Sequence, residues 1–239
     1  MRRFFSDAIA DRTATITGDD AHHICRVLRM KAGESLSLCD GAGYEYDATI
    51  LSVSQDAVVC ALDRRHASDA ESSVSVTLFQ CLPKTGKMET IIQKCTELGV
   101  FSITPVLSAR CVSVPNSDFE KKRARYNRVA LEAAKQSRRA MVPEVTPLLS
   151  IRQIDPHAFD LFLLAYEEES VRSLKQALQA ADAPAKIALL IGPEGGLEEE
   201  EVDRLLALGA VSVSLGKRIL RTETAGMAML AQVLYEVES

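Results

Sequence analysis

The 239-residue sequence has no apolar run long enough for a signal peptide or a bilayer span; stretches such as residues 159–166 are far too short. A cytoplasmic protein with no membrane partner is therefore expected. Paired cysteines are also missing. Cys25, Cys39, Cys60, Cys81, Cys95 and Cys111 stand singly, with no C-x-x-C pair and only four histidines, which argues against a disulfide framework and against zinc. His22 and His23 are adjacent and cannot form the i, i+4 pair of a helical metal site, so no metal is expected. Most of the cysteines fall in apolar patterns and read as buried, reduced packing residues. Phosphate fingerprints are absent as well. The loop Gly192-Pro193-Glu194-Gly195-Gly196 is neither G-x-G-x-x-G nor a P-loop ending in Lys and Ser or Thr.

That loop follows an apolar strand-like run, residues 187–191, and precedes Glu198-Glu199-Glu200-Glu201 at the start of a helix. The glutamates suit the positive end of the helix dipole. They also place negative charge where a phosphate would sit. A ligand that is neutral or cationic at this point is allowed. A tight turn that needs glycine for backbone reasons alone accounts for the loop equally well.

What the chain does have is charge asymmetry beneath a net of −5. Residues 121–139 hold eight bases and one acid, whereas residues 160–239 hold fourteen acids and seven bases, a net of −7. A solvated helix face is the ordinary reading of a charge run. Eight bases with almost no acids for i, i+4 pairing repel one another unless a polyanion relieves them, which points to nucleic acid.

With 47% hydrophobic residues the chain can bury a large core. Residues 1–68 alternate short apolar runs at 14–17, 35–38, 44–53 and 57–62 with glycine turns, interrupted by a helical piece at 21–30; this predicts a small β domain. Residues 66–73 are small and polar and read as a linker. From 74 to 239 strands and helices alternate, the signature of a parallel α/β sheet. Met88, Ile91, Ile92, Cys95 and Leu98 form one helical face, and Val202, Leu205 and Leu206 another. Ser117 and Glu120 form a capping box that opens the basic helix. Strands at 159–165, 187–191 and 211–215 each end in a loop, and ligands bind at the carboxyl ends of such strands. The last helix, to residue 237, is apolar nearly all round and therefore buried in the core or at a subunit interface.

Two long motifs narrow the reading. Ile191-Gly192-Pro193-Glu194-Gly195-Gly196, followed by Leu215-Gly216-Lys217-Arg218-Ile219-Leu220-Arg221-Thr222-Glu223-Thr224-Ala225, resembles the C-terminal signature of the RsmE family, bacterial 16S rRNA uridine N3-methyltransferases of the SPOUT superfamily. The resemblance extends over the chain through Met1-Arg2-Arg3-Phe4-Phe5, the segment 22–29, Lys84-Thr85-Gly86-Lys87-Met88-Glu89, Gln93-Lys94-Cys95-Thr96-Glu97-Leu98-Gly99 and Ser108-Ala109-Arg110. It implies a PUA-like β-barrel RNA-binding domain over 1–68 and an α/β, trefoil-knotted parallel-sheet methyltransferase domain over 74–239, with the knot and donor pocket at about 160–235, working as a homodimer. It also implies S-adenosylmethionine, a sulfonium without phosphate, as methyl donor. The donor role falls on Leu164, Ala165, Gly192, Pro193, Glu194, Gly195, Gly196, Leu215, Gly216, Ile219, Leu220, Arg221 and Thr222. Arg221 is the expected anion stabiliser, with Glu223 or Glu194 as the base. Arg2, Arg3, His22, Arg26, Arg29, Lys84, Lys87, Arg110, Arg138 and Arg139 are the expected RNA contacts, and 16S rRNA in an assembled small subunit is the expected substrate. At Lys135-Gln136-Ser137-Arg138-Arg139 the family pattern has an acid first and a glycine fourth, and this chain departs from it. Two rival readings are a superfamily enzyme acting on another RNA and a non-catalytic RNA-binding module.

Overall fold

Period-two alternation builds the first sheet. The structure is a computed structural model and describes residues 2–6, 8–84, 86–112 and 119–238. The chain divides into two compact units, Met1–Glu71 with Ala134–Val142, and Ser72–Ala133 with Pro143–Ser239. In the first, strands β1 (Arg3–Phe5), β2 (Ala8–Ala10), β3 (Thr13–Thr17), β4 (Ser35–Cys39), β5 (Tyr44–Val53) and β6 (Ala57–Ala67) form one mixed sheet in the order β1-β4-β5-β6-β3-β2. Ala14, Ile16, Leu36, Leu38, Ile50 and Val58 turn into a common core.

The two edge strands, β1 and β2, are consecutive in the chain, so the sheet must curl until its ends meet. Ser6, between them, spans the closure: its N–H donates to Cys39 O on β4 (3.0 Å) and its hydroxyl to Thr15 O on β3 (2.9 Å). Closing a sheet in this way removes exposed edges. The result agrees with the PUA-like barrel that the resemblance implies. The helix expected at 21–30 begins earlier, as α1 (Gly18–His22), and continues as a π-helix over His23–Leu28 that ends at left-handed Arg29 (φ 53°).

Residues 134–142 also belong to this unit. Arg139 is 2% exposed, with its Nη2 2.7 Å from Glu71 Oε2. The other oxygen of Glu71 accepts from the N–H groups of Ala140 (2.8 Å) and Met141 (3.0 Å). Part of the expected linker is therefore an anchor.

In the second unit the strands β7 (Ser75–Cys81), β8 (Ser102–Leu107), β9 (Glu144–Val145), β10 (Leu149–Ser150), β11 (Leu161–Ala165), β12 (Lys186–Ile191) and β13 (Val211–Val213) are all parallel. Their order is β10-β8-β7-β12-β11-β13, with β9 beside β8. Helices α2 (Lys87–Glu97), α3 (Phe119–Ser137), α4 (Leu174–Gln179), α5 (Glu199–Ala207) and α6 (Thr222–Val237) accompany the sheet, and α6 packs on α2, α4, β12 and β7. Another core holds Phe79 and Phe162, with ring centroids 5.5 Å apart, beside Leu164, Leu190, Val202 and Leu205. Two residues of the predicted apolar faces differ: Leu98, where α2 ends, is 39% exposed, and Leu206 is 38% exposed. The expected capping box lies outside the described residues through Ser117.

All six cysteines are free; Cys25 is half-buried and the rest are buried. Burial pushes the Cys39 and Cys95 thiols up to about 12. Cys111 departs from this pattern: hydrogen bonding with Cys81, opposed by burial and aided by Ser108, holds it at about 6.

Candidate active site

Because β11, β12 and β13 are parallel neighbours of one sheet, the loops that leave their carboxyl ends converge. They enclose a cavity of about 840 Å³. Of the expected donor residues, Ala165, Gly192, Pro193, Glu194, Gly196, Leu215, Gly216, Ile219, Leu220, Arg221 and Thr222 line it. Leu164 does not. Strand alternation turns it into the core, where it is fully buried. Gly195 is also outside the lining, and its carbonyl accepts from Arg110 Nη1 at 3.2 Å. Gly196 has φ +70°, a backbone conformation that favours glycine, and the carboxylate end of the exposed Glu167 lies over it.

Three of the acidic residues in and after the loop, Glu194, Glu198 and Glu201, are engaged by the chain itself. Glu198 receives a two-pronged contact from Arg110, with both N···O distances 2.9 Å. Glu201 accepts from Glu198 N (3.1 Å) and from Ala109 N (2.8 Å). Glu194 accepts from Lys84 N (3.1 Å) and from Lys87 Nζ (3.0 Å). Lys87 Nζ also lies 3.1 Å from Glu223 Oε2. That second contact is an ion pair without a well-directed hydrogen bond, and Glu223 Oε2 is otherwise buried. Lys87 thus joins the first turn of α2, the loop after β12 and the first turn of α6.

This pairing fixes the protonation states. Burial pushes the Glu194 carboxyl up, but hydrogen bonds from Lys87, from its own N–H and from Lys84 N–H outweigh it, so it titrates below the usual carboxylate range. Glu223 is also held low, first by its own backbone N–H against some burial, then by Lys87 and by the charge of Arg221. Glu194 and Glu223 in turn raise Lys87. A base for a weakly acidic imide would need a raised carboxyl pKa, and neither candidate has one.

Two residues that hold the site are not evident as such in the sequence. Gln80, fully buried on β7, donates to Thr222 Oγ1 (2.9 Å), which donates to Gly192 O (2.7 Å). The relay ties a strand, the glycine loop and the start of α6 together; its one sequence signal is an amide between Phe79 and Cys81 in a buried strand. Glu169 pins the loop after β11 by accepting from Val171 N (2.8 Å), Arg172 N (3.1 Å) and the Ser212 hydroxyl. The Ser212 hydroxyl and these two N–H groups lower its pKa. It sits in a run of three glutamates that looks like a solvated turn.

The expected RNA residues divide into exposed and engaged. Arg2, His22, Arg26, Arg29, Lys84 and Arg138 are exposed. Arg3 pairs with Glu45 at 2.8 Å and donates to Arg138 O. Lys87 belongs to the cavity wall, Arg110 holds Glu198, and Arg139 is buried on Glu71, each because an acid distant in sequence is brought beside it. Arg138 occupies the left-handed region (φ 62°), the conformation that favours the glycine of the family pattern. Lys135 pairs with Asp20 at 3.1 Å, where an acid would repel. Among the described residues no helix is long and apolar enough to cross a membrane, and no group of three or more His, Cys, Asp or Glu could hold a metal ion.

A family model for the RNA methyltransferase domain matches residues 70–234, and one for the RNA methyltransferase PUA domain matches residues 16–63. The chain is 38% identical to ribosomal RNA small subunit methyltransferase E of Bacillus subtilis (strain 168) over 250 residues, covering 100% of this chain and 98% of that one. It is 34% identical to the protein of the same name from Synechocystis, covering 98% and 76% of the two chains. Among solved structures, ribosomal RNA small subunit methyltransferase E from Neisseria gonorrhoeae bound to S-adenosyl methionine superposes with a TM-score of 0.81 at 30% identity, covering 99% and 98%.

Proposed function

The chain belongs to the ribosomal RNA small subunit methyltransferase E family, and from that premise we propose that it methylates N3 of a specific uridine of 16S rRNA near the decoding region. The observation that carries the reading is the cavity of about 840 Å³ beside an acid-rich loop whose carboxylates are engaged by the chain. A sulfonium donor fits such a wall, and a nucleotide phosphate does not. Glycine at 196, held at φ +70°, leaves backbone amides and carbonyls of the loop uncovered by a side chain of its own, so that they can approach the donor closely. S-adenosylmethionine supplies an electrophilic methyl, which N3 attacks in line with release of S-adenosylhomocysteine.

The work of the chain's own residues is alignment and fixed charge. Arg221, at the N-cap of α6, stabilises the negative charge that spreads over N3 and its flanking carbonyls. With Glu194 and Glu223 both held ionised and weakly basic, the N3 proton leaves to solvent. The return of the chain from β13, at the sheet edge, to α6 behind β12 and β7 supports the trefoil-knotted threading. Tyr235, 76% exposed on the apolar α6, supports a homodimer, and family membership supports the assembled small subunit in the cytoplasm as the setting.

Calorimetry with S-adenosylhomocysteine should give a heat of binding; none would leave the non-catalytic RNA-binding module as the reading. Primer extension on rRNA from a deletion strain should lose one methyl-dependent stop, and a stop that persists refutes the target. The Lys87 strut adds a pH test. Its carboxylates are lowered, so their contribution is present above the ordinary carboxylate value of about 4.3 and is lost as pH falls through the lower folded value; Lys87 is raised, so its contribution is present below about 10.4 and is lost above that. The part of donor affinity that depends on Glu194, read as the ratio between the unmodified protein and Glu194→Gln, should stay level from about pH 5 to 10. A midpoint between pH 5 and 8 that moves in Glu194→Gln would contradict this.

A further inference from the structure

Apart from the exposed Glu167, the charged side chains around the cavity fall into two populations. On one side Lys87, Glu194, Glu223 and Glu169 are held by protein partners. On the other the loop from Lys217 to Arg221 carries three cations in five residues. Among the described residues none of the three makes an ion pair or a side-chain hydrogen bond, although Arg221 lowers Glu223 at longer range. Between them Ile219 is 89% exposed, the most exposed large apolar side chain among those described. A loop that brings cations together without acids, and an aliphatic group without cover, is costly unless something anionic and partly apolar meets it.

The methyl donor does not meet that demand. It offers one carboxylate and also brings a sulfonium and an amine, so three cations exceed what it can neutralise. A single-stranded polynucleotide has the right chemistry: one negative charge per nucleotide and flat apolar base faces. Enzymes that act on a base atom must also take that base out of its stack, which rewards an apolar side chain that fills the space it leaves.

Resting on the reading above, we infer that Lys217 and Arg218 grip the phosphates flanking the target uridine and that Ile219 packs against the neighbouring base at the cavity mouth. The loop is thus the strand-positioning element of the site. Only the side chain of Ile219 is assigned to the RNA; its backbone stays on the cavity wall with Leu215, Gly216, Leu220, Arg221 and Thr222.

The test uses the full-length protein and a 16S rRNA fragment containing the decoding region. Binding is measured by fluorescence anisotropy at several salt concentrations, with S-adenosylhomocysteine affinity measured in parallel by calorimetry. Lys217→Ala combined with Arg218→Ala should weaken RNA binding about tenfold or more and reduce the slope of log K against log salt by about 0.7 for each phosphate no longer neutralised, with S-adenosylhomocysteine affinity unchanged. Ile219→Ser should weaken RNA binding several-fold and leave the salt slope as it is. Two results overturn the inference: S-adenosylhomocysteine affinity falls while RNA affinity holds, which assigns the loop to the donor carboxylate, or neither changes, which makes it a solvated surface. Failure of the broader reading is separate and visible in the unmodified protein, as an absence of any S-adenosylhomocysteine binding.

Discussion

Two basic stretches invite comparison: residues 121–139, with eight bases, and residues 217–221, with three. By density along the chain the first is the obvious polyanion site. In the fold, Arg123 meets Glu120 (2.9 Å), Arg125 meets Glu89 (2.8 Å), Lys135 meets Asp20 (3.1 Å) and Arg139 meets Glu71 (2.7 Å). At least four of the eight bases are thus matched by acids, three of these acids distant in sequence. Among the described residues none of the three cations of the shorter stretch has such a match. Charge counted along a chain therefore does not report the field available to a ligand; topology decides how much is already neutralised, and exposure decides how much of the rest is reachable.

The comparison can be broken at four points. The largest effect is expected from Arg139→Ala, which leaves the partly buried carboxylate of Glu71 with its two N–H donors but without its cation and should cost about 3 kcal/mol, read as a drop in the denaturant midpoint. Weakened RNA binding in an Arg139 variant of unchanged stability would return that residue to the RNA surface. Thr222→Val keeps shape but leaves Gly192 O without the hydroxyl and Gln80 Nε2 with Cys81 O alone as acceptor, at about 1–3 kcal/mol by chemical denaturation, with weaker S-adenosylhomocysteine binding by calorimetry. Arg138→Gly should go the other way, relieving a left-handed residue and raising stability by up to about 1 kcal/mol while lowering the salt slope of RNA binding. Arg125→Ala removes a pair whose arginine is 70% exposed and should change stability by less than about 0.5 kcal/mol in thermal melts. A larger loss there would mean that the paired half of α3 is more than a solvated face.

The sequence made some of this legible and concealed the rest for identifiable reasons. The run at 44–53 is the β5 strand residue for residue, because alternation on a half-buried sheet leaves a local trace. The three loops at strand ends were predictable from parallel-sheet topology, and they do converge on one cavity. The pairing of Arg139 is hidden in the sequence because its partner, Glu71, lies in a stretch that looks like a polar linker, and an ion pair formed across 68 residues has no local signature. Lys87 reads as an RNA contact because a lysine near an N-terminal helix turn carries no mark of the two glutamates, 107 and 136 positions away, that hold it. Gln80 and Glu169 have no sequence mark because their roles are hydrogen bonds to segments that only the tertiary fold brings near.

The contact of Glu71 with Ala140 and Met141 also has a bearing on biosynthesis. A ribosome makes this chain from the N-terminus, and the first unit's own sheet strands are complete by Ala67. Its remaining segment, Ala134–Val142, emerges only after some seventy further residues. Until then the N-terminal unit lacks the cation and the two N–H groups that satisfy Glu71, so it does not mature as a free-standing cassette early in translation. Its completion waits on the helix that delivers Arg139, and a nascent chain truncated near residue 71 should be more readily cleaved by protease than the same unit in the finished protein.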